Sequence, residues 1–163
     1  EATVSEFLPT ENVRIKWPND ILVNGRKTSG ILIENSLRGM NLETSIVGIG
    51  MNVNQTEFAD GLNATSLKLI TSKNVDLDEV LERLNENLEQ RYLKLREGKY
   101  QLLLDALNNR LFGIGESMKL NINGQQQQVT VVGVRQTGEL ELEHHDGSRT
   151  LHQHHEVDWN LKA

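Results

Sequence analysis

The sequence has no cysteine among its 163 residues, which excludes disulfides, thiolate nucleophiles, thiolate zinc sites and iron–sulfur clusters. No stretch approaches the roughly 18 consecutive apolar residues that span a bilayer, and the N-terminus lacks the pattern of a secretory signal. Basic residues are outnumbered, because 17 Lys and Arg face 23 Asp and Glu and give a net charge of −6. This balance argues against a general surface for nucleic acid or membrane. We therefore expect a cytoplasmic protein.

Hydrophobic periodicity divides the chain near Phe112. Before this point, Val13 to Trp17 alternates apolar and polar residues, which predicts a strand with one buried face. Further strands are predicted at Asp20 to Val23, Lys27 to Glu34 and Thr44 to Gly50. Asn24-Gly25 is a strong signal for a two-residue hairpin turn between the first two of them. The pattern predicts a partial sheet, antiparallel or mixed.

Two helices follow the predicted strands. Apolar residues recur at spacings of one, three or four from Val80 to Leu95, which predicts a helix that begins near Asp76. A shorter helix is predicted from Tyr100 to about Leu111. We expect these helices to cover one face of the sheet, with the leucine stripe packed on it rather than on a partner.

After Phe112 the chain changes to short apolar runs separated by glycine turns. The turns are Asn123-Gly124, Thr137-Gly138 and Asp146-Gly147. The intervening runs are Met118 to Ile122, Val129 to Val134 and Leu140 to Glu143. Regular short strands of this kind predict a small barrel or sandwich, so the whole chain is expected to be α+β.

A local concentration of positive charge marks the candidate site. Four basic residues and one acidic residue give the segment from 14 to 27 a charge of +3; they are Arg14, Lys16, Arg26, Lys27 and Asp20. An anionic ligand is expected there. Trp17, Pro18 and Asn19 combine a rigid aromatic surface with directed polar groups, which suits a flat polar heterocycle.

Glycines supply a second cluster of candidate positions. Gly30 lacks a side chain and would let a ligand approach the backbone. Gly48 and Gly50 mark either a strand bulge or a ligand lying on the sheet. Asn52 follows them, and its amide is able to recognise a base edge or a ribose.

These motifs together resemble the signature series of the biotin protein ligases (biotin–[acetyl-CoA-carboxylase] ligases). The resemblance rests on Lys16 to Asp20, on Lys27 with Gly30 to Glu34, and on Gly48 to Asn52, in this order and spacing. It implies that residues 1–112 are the later half of a catalytic domain. Residues 113–163 are similar in size and strand number to the family's C-terminal SH3-like β-barrel domain.

The resemblance implies a two-step reaction. Biotin and ATP, with Mg²⁺ held through the phosphates, give biotinyl-5′-AMP, and a lysine of a biotin carrier protein domain of a carboxylase then displaces AMP. The catalytic pair implied is Lys27, for electrostatic stabilisation, and Asp20, which either orients the biotin ureido group or accepts a proton from the incoming amine. Biotin and adenylate contacts are implied for Lys16, Trp17, Pro18, Asn19, Gly30, Gly48, Gly50 and Asn52.

The family's glycine- and arginine-rich loop lies upstream of the Lys16 strand and is not found in this sequence. The chain also begins at Glu1 and carries no segment of the kind that binds DNA in some members. We therefore expect a fragment with little or no ligase activity by itself. Incomplete sheet edges would favour a homodimer.

Other interpretations remain open at this point. The chain is alternatively a non-catalytic module that binds biotin or a carrier protein, or a relative of lipoate ligases. Five histidines, His144, His145, His152, His154 and His155, invite a metal hypothesis. Neighbouring histidines on a strand point to opposite faces, so we expect no metal site and exposed polar positions instead.

Overall fold

A computed structural model describes residues 1–39 and 41–159 as an α+β protein with two antiparallel sheets. The first sheet has the order β1-β2-β3-β4. Its strands are β1 (Val13–Lys16), β2 (Asp20–Val23), β3 (Arg26–Arg38) and β4 (Asn41–Met51). Every neighbouring pair of named strands is antiparallel, so the antiparallel alternative of the sequence interpretation is confirmed.

Local sequence explains the turns of this sheet. Asn24 and Gly25 adopt positive φ angles of 51° and 78° and connect β2 to β3, as the hairpin signal predicts. Strands β3 and β4 are longer than the predicted runs because they continue as an extended hairpin beyond Glu34. The side chains of Leu32, Ile33, Ile46 and Val47 in this hairpin are largely exposed.

Besides a short 3₁₀ helix at His154–Glu156, four α-helices lie within the described residues. They are α1 (Ala2–Phe7), α2 (Leu67–Thr71), α3 (Leu77–Arg96) and α4 (Tyr100–Asn108). The Asp76 side chain caps α3 by accepting a hydrogen bond from the Asp78 amide at 2.8 Å. Helix α4 ends earlier than predicted because the following segment leaves the helix to bond with β1, where the Phe112 amide donates to the Ile15 carbonyl at 2.8 Å.

The leucine stripe of α3, which is the set of apolar residues from Val80 to Leu95, does not pack as expected. Leu84 and Leu88 face Ile21 and Ile31 of the sheet across a cavity of about 220 Å³. Val80 is buried, but Leu81, Tyr92 and Leu95 are about half exposed. The expectation that the whole stripe packs on the sheet is wrong, because α3 packs mainly against α1 and α4.

The second sheet has the order β8-β7-β6-β5-β9. Its strands are β5 (Ser117–Ile122), β6 (Gln125–Val134), β7 (Leu140–His144), β8 (Arg149–His152) and β9 (Val157–Asp158). Glycines with positive φ occupy the three predicted turns, Gly124, Gly138 and Gly147. Apolar side chains of β5, β6 and β7 form its core. Trp17, from the connection between β1 and β2, and Trp159 join them.

Two histidines of the second sheet are not the exposed polar positions that the sequence suggested. His152 is buried and His144 is half-buried, and their Nε2 atoms lie 2.7 and 2.8 Å from the hydroxyl of Thr150 between them. His145, His154 and His155 are exposed as expected. In the described ranges, no group of three or more His, Asp or Glu side chains is arranged to hold a metal ion.

None of the helices in the described part of the chain is both long enough and apolar enough to cross a membrane.

Candidate functional site

The hairpin of β1 and β2 brings together the first two site residues. Lys16 and Asp20 are paired in register across a three-residue connection. The Lys16 Nζ atom lies 2.9 Å from one carboxylate oxygen of Asp20. Asn19 ties this connection to β3, because its side-chain amide donates to the Ile31 carbonyl at 2.8 Å and its carbonyl accepts from the Ile31 amide at 2.9 Å.

Lys27 enters the same cluster from β3. A bulge between Ile21 and Leu22 shifts the register of β2 against β3. The Lys27 Nζ atom lies 2.6 Å from the second carboxylate oxygen of Asp20. One carboxylate therefore binds two ammonium groups, which leaves the cluster with an excess of one positive charge.

The electrostatics of Asp20 follow from this arrangement. Burial by itself raises the pKa of the Asp20 carboxyl. Hydrogen bonds from Lys27 and Lys16 and the charges of both lysines lower it by more, so the pKa of Asp20 lies below its ordinary value. Asp20 is thus ionised at neutral pH. The Lys27 side chain is 49% exposed and that of Lys16 is 23% exposed, so Lys27 is the more accessible cation.

Gly30 makes room for the ion pair between Lys27 and Asp20. A Cβ atom at Gly30 would lie 3.3 Å from the Cε and Nζ atoms of Lys27 and 3.5 Å from a carboxylate oxygen of Asp20. The sequence interpretation assigned this space to a ligand. In the structure, the Lys27 ammonium group occupies it.

The cluster faces an open pocket of about 520 Å³. Lys16, Asp20, Lys27 and Asn52 all line this pocket, so the structure brings these four predicted site residues together. Asn52 also secures the far wall, because its side-chain amide donates to the Thr65 carbonyl at 3.1 Å.

The far wall is the loop from 55 to 64, which sequence reasoning missed. Its contributions to the pocket are Gln55, Phe58, Gly61, Leu62, Asn63 and Ala64. The Lys27 amide donates to the Asn63 carbonyl at 2.9 Å, and the Thr65 amide donates to the Lys27 carbonyl at 2.9 Å. The loop is therefore bonded alongside the start of β3. The sequence of this loop shows no hydrophobic periodicity. Its one aromatic residue, Phe58, which is half-buried in the structure, was the only sequence feature that could have pointed to it.

Two of the predicted glycines, Gly30 and Gly50, line a second cavity beside this pocket. Lys27 and Asn52 also line this adjoining cavity, which has a volume of about 410 Å³. A Cβ atom at Gly50 would have no neighbour within 4 Å, and one at Gly48 would lie 3.8 Å from the Leu32 carbonyl oxygen. The register of β3 against β4 is continuous through both glycines, so the alternative of a bulge there is wrong.

Trp17, Pro18 and Asn19 do not line either cavity. Pro18 and Asn19 are exposed in the connection between β1 and β2. Trp17 is 5% exposed and lies in the core of the second sheet, where its indole N–H donates to the Gly138 carbonyl at 2.9 Å. Trp17 is therefore a core residue of the second sheet and forms no wall of these two cavities.

Comparison with protein families gives one match over the site. Residues 7–52 match the model of the Biotin/lipoate A/B protein ligase family. This segment contains β1 to β4 and every predicted site residue.

Individual relatives extend the similarity to most of the chain. The chain is 32% identical over 142 residues to the Bifunctional ligase/repressor BirA of Bacillus subtilis, covering 85% of this chain and 44% of the relative. It is 32% identical over 127 residues to the Biotin--[acetyl-CoA-carboxylase] ligase of Mycobacterium tuberculosis, covering 78% of this chain and 44% of the relative. The chain thus spans less than half the length of these curated relatives.

A solved structure agrees with the fold over nearly the whole chain. The Biotin protein ligase from Aquifex aeolicus in complex with biotin and ATP superposes with a TM-score of 0.75 at 29% sequence identity, covering 96% of this chain and 67% of that chain. Both sheets and their connection are therefore similar to those of a protein crystallised with these two ligands.

Proposed function

This chain belongs to the biotin protein ligase family, and from that premise we propose that its protein activates biotin with ATP and transfers biotin to a lysine of a carrier protein. The observation that carries the proposal is the pair of lysines held by the Asp20 carboxylate at the mouth of an open pocket. A ligand with a carboxylate and phosphates is attracted to the excess positive charge of this cluster.

The first step joins the biotin carboxylate to the α-phosphorus of ATP. A carboxylate oxygen attacks phosphorus, the bond to the bridging oxygen of the β-phosphate breaks, and pyrophosphate leaves. Negative charge spreads over the phosphate oxygens in the transition state. Lys27 is the residue that we assign to stabilise it, because its ammonium group is half exposed and is fixed by Asp20 before the ligand arrives.

The second step transfers biotin to the carrier. The lysine amine of the carrier attacks the carbonyl carbon of biotinyl-5′-AMP, the bond from that carbon to the phosphate oxygen breaks, and AMP leaves with the bonding electrons. The attacking amine loses a proton. The low pKa of Asp20 makes it a weak base, which favours its alternative role as an acceptor that holds Lys27, Lys16 and the ureido group of biotin.

The remaining site residues complete the proposed binding surface. Asn52 lies at the rim where the nucleotide would meet the loop from 55 to 64. Gly48 and Gly50 leave the sheet open for the ligand, Gly30 makes room for the Lys27 ammonium group that meets the ligand, and Asn19 supports the surface through its hydrogen bonds to Ile31. Trp17 and Pro18 do not line the pocket or the adjoining cavity, so we propose that both act on the site indirectly.

Magnesium would accompany ATP through its phosphates. The ammonium groups of Lys16 and Lys27 lie 2.9 and 2.6 Å from the Asp20 oxygens and would repel a divalent cation, so this carboxylate does not fit the role of a metal ligand. When bound with ATP, the ion would neutralise phosphate charge alongside Lys27.

We also propose a domain assignment and a location. Residues 1–112 form the later half of a catalytic domain, and residues 113–163 form an SH3-like barrel; short strands around one apolar core support this assignment. The carrier is the biotin carrier domain of a carboxylase, and the reaction takes place in the cytoplasm. The free edge of β4 is the proposed homodimer contact.

The test is adenylate formation by the protein expressed from its complete reading frame. We expect Lys27→Ala to lower biotinyl-5′-AMP formation by about 10²-fold or more, because it removes a fixed charge from the transition state. Lys68→Ala, on α2 and outside both cavities, is the matched control and should keep full activity.

Competing substrates distinguish the alternatives. Biotin and lipoate are offered together, and preferential turnover of lipoate would replace the proposal by the lipoate ligase interpretation. No turnover of either acid, with biotin still bound, would favour a non-catalytic binding module. The 163-residue chain alone is assayed in parallel, and we expect it to form little or no adenylate.

A further inference from the structure

Trp17 connects β1, the strand that ends at Lys16, to the second sheet. Its ring is buried among the core residues of that sheet, and its indole N–H donates to the carbonyl of Gly138, 121 residues away in sequence. Gly138 lies in the turn between β6 and β7, and this turn is closed by hydrogen bonds from the amide of Arg135 to the carbonyl of Glu139 and from the amide of Gly138 to the carbonyl of Arg135. The acceptor is therefore held by a well-bonded turn.

The edge of β1 is fixed to the same part of the molecule. The Ile15 amide donates to the Arg110 carbonyl at 2.8 Å, and the Phe112 amide donates to the Ile15 carbonyl at 2.8 Å. Leu111 between them is fully buried in the core that contains Trp17. Strand β1 thus lies between β2 and the segment that leads into the second sheet.

These anchors flank the residues that make the ion cluster. Trp17 directly follows Lys16, and the connection from 17 to 19 leads to Asp20, whose carboxylate binds both lysines. A shift of Trp17 would move Lys16 relative to Asp20, because only three residues separate them. The separation of these two groups therefore depends on where the second sheet holds the indole as well as on the register of β1 against β2.

We infer that Trp17 is a positioning residue: its anchorage in the second sheet fixes Lys16 against Asp20 and so sets the affinity of the pocket for its ligand. The ligand part of this inference rests on the proposed function. The positioning part rests only on the contacts of Trp17, Lys16 and Asp20.

A purely structural role for Trp17 is the competing explanation, and the chain offers a matched control. Trp159 is 6% exposed, belongs to the same core and has no hydrogen-bond partner for its indole nitrogen within the described residues. Trp17→Phe and Trp159→Phe therefore remove similar apolar area from one core. Only the first removes a hydrogen bond, and it does so at the residue that directly follows Lys16.

The first measurement is an NMR titration of the Asp20 carboxyl in the 163-residue chain. We expect Trp17→Phe to raise the pKa of Asp20 toward its ordinary value, because Lys16 is no longer held beside it, and Trp159→Phe to leave it unchanged. Equal shifts in both variants would mean general loosening of the core and would overturn the inference. An unchanged pKa in Trp17→Phe would overturn it as well.

The second measurement is the affinity for biotinyl-5′-AMP by calorimetry, in the protein expressed from its complete reading frame. Loss of the anchor should weaken binding about tenfold in Trp17→Phe, whereas Trp159→Phe should bind like the wild type. Equal affinities in the two variants would overturn the link to the ligand. A wild type that does not bind biotinyl-5′-AMP would contradict the proposed function, while the Asp20 titration still decides the positioning role.

If Trp17→Phe does not fold, the wild type supplies the test. The indole N–H signals of Trp17 and Trp159 are followed while Asp20 is protonated. We expect the Trp17 signal to move with the midpoint of Asp20 and the Trp159 signal to stay. A Trp17 signal whose chemical shift does not change while Asp20 is protonated would overturn the inference.

Discussion

Asp20 controls the chemistry of the pocket because its two carboxylate oxygens bind Lys16 and Lys27 at once. Its pKa is lower in the folded chain than in the unfolded chain, so the unfolded state binds more protons in acid. The stabilisation is present above the unfolded value of about 3.9 and is lost as the pH falls through the folded value. Acid therefore both weakens the fold and releases the lysines.

Gly30 tests whether this ion pair needs an empty position on β3. Gly30→Ala should push the Lys27 side chain away, because the new Cβ would lie 3.3 Å from its Cε and Nζ atoms. The pKa of Asp20 should then rise toward its ordinary value, and the loss of stability in acid should become shallower. An NMR titration of the Asp20 carboxyl measures the first effect, and urea unfolding at several pH values measures the second.

Gly50→Ala is the control for Gly30→Ala. Gly50 is paired with Gly30 across β3 and β4, but a Cβ atom there would meet nothing within 4 Å. It should leave the pKa of Asp20 unchanged. A Gly30→Ala variant with the wild-type pKa of Asp20 would show that Lys27 adapts at no cost, and the close packing would then have no role in the site.

At the scale of elements, the sequence predicts structure best where local signals are strong. The hairpin at Asn24-Gly25 and the helix that begins after Asp76 agree with the structure because turn and capping chemistry act within a few residues. Helices α1 and α2 are too short to show a helical hydrophobic period. Strands β8 and β9 have four and two residues and show no alternation of apolar and polar side chains. Their formation depends on contacts with distant parts of the chain.

Asn108, the last residue of α4, joins this helix to the second sheet. Its side-chain oxygen accepts from the Val134 amide at 2.7 Å, and its side-chain nitrogen donates to the Val134 carbonyl at 3.1 Å. Asn108→Ala should lower the free energy of unfolding by about 1–3 kcal/mol, because both backbone groups of a buried residue lose their partner. Denaturant unfolding measures this loss.

Asn109→Ala supplies the comparison, since Asn109 is the exposed neighbour that ends the same helix. It should change stability by less than about 0.5 kcal/mol. Equal losses in the two variants would show that the loss of stability is not specific to the hydrogen bonds with Val134, since Ala itself favours the helix more than Asn does, and would overturn the argument for a specific contact with β6.

At the scale of the whole molecule, the candidate site divides into a part that sequence spacing predicts and a part that it does not. Lys16, Asp20 and Lys27 lie on consecutive antiparallel strands, so their proximity follows from the hairpins. The loop from 55 to 64 reaches the pocket through backbone bonds to Lys27 that no side-chain pattern encodes. The burial of Trp17 in the second sheet depends on how two units pack, which local sequence does not specify.

The free edge of β4 predicts how two molecules would associate. Within the described residues β4 pairs only with β3, and its exposed side chains include Leu42, Ile46 and Val47. Such an edge presents unpaired backbone groups next to apolar surface and is a template for pairing with a second copy. We expect sedimentation velocity to show a dimer whose fraction increases with protein concentration.

Val47→Lys should abolish that dimer, because a charged side chain on an edge strand disfavours pairing with another strand. Leu81→Lys on α3 is the matched control: Leu81 is 55% exposed and Val47 is 47% exposed, but Leu81 lies on a helix. The control should still dimerise. A wild type that stays monomeric at every concentration, or a dimer lost only in Leu81→Lys, would reject the β4 edge, and in the second case the exposed leucine stripe of α3 would be the contact.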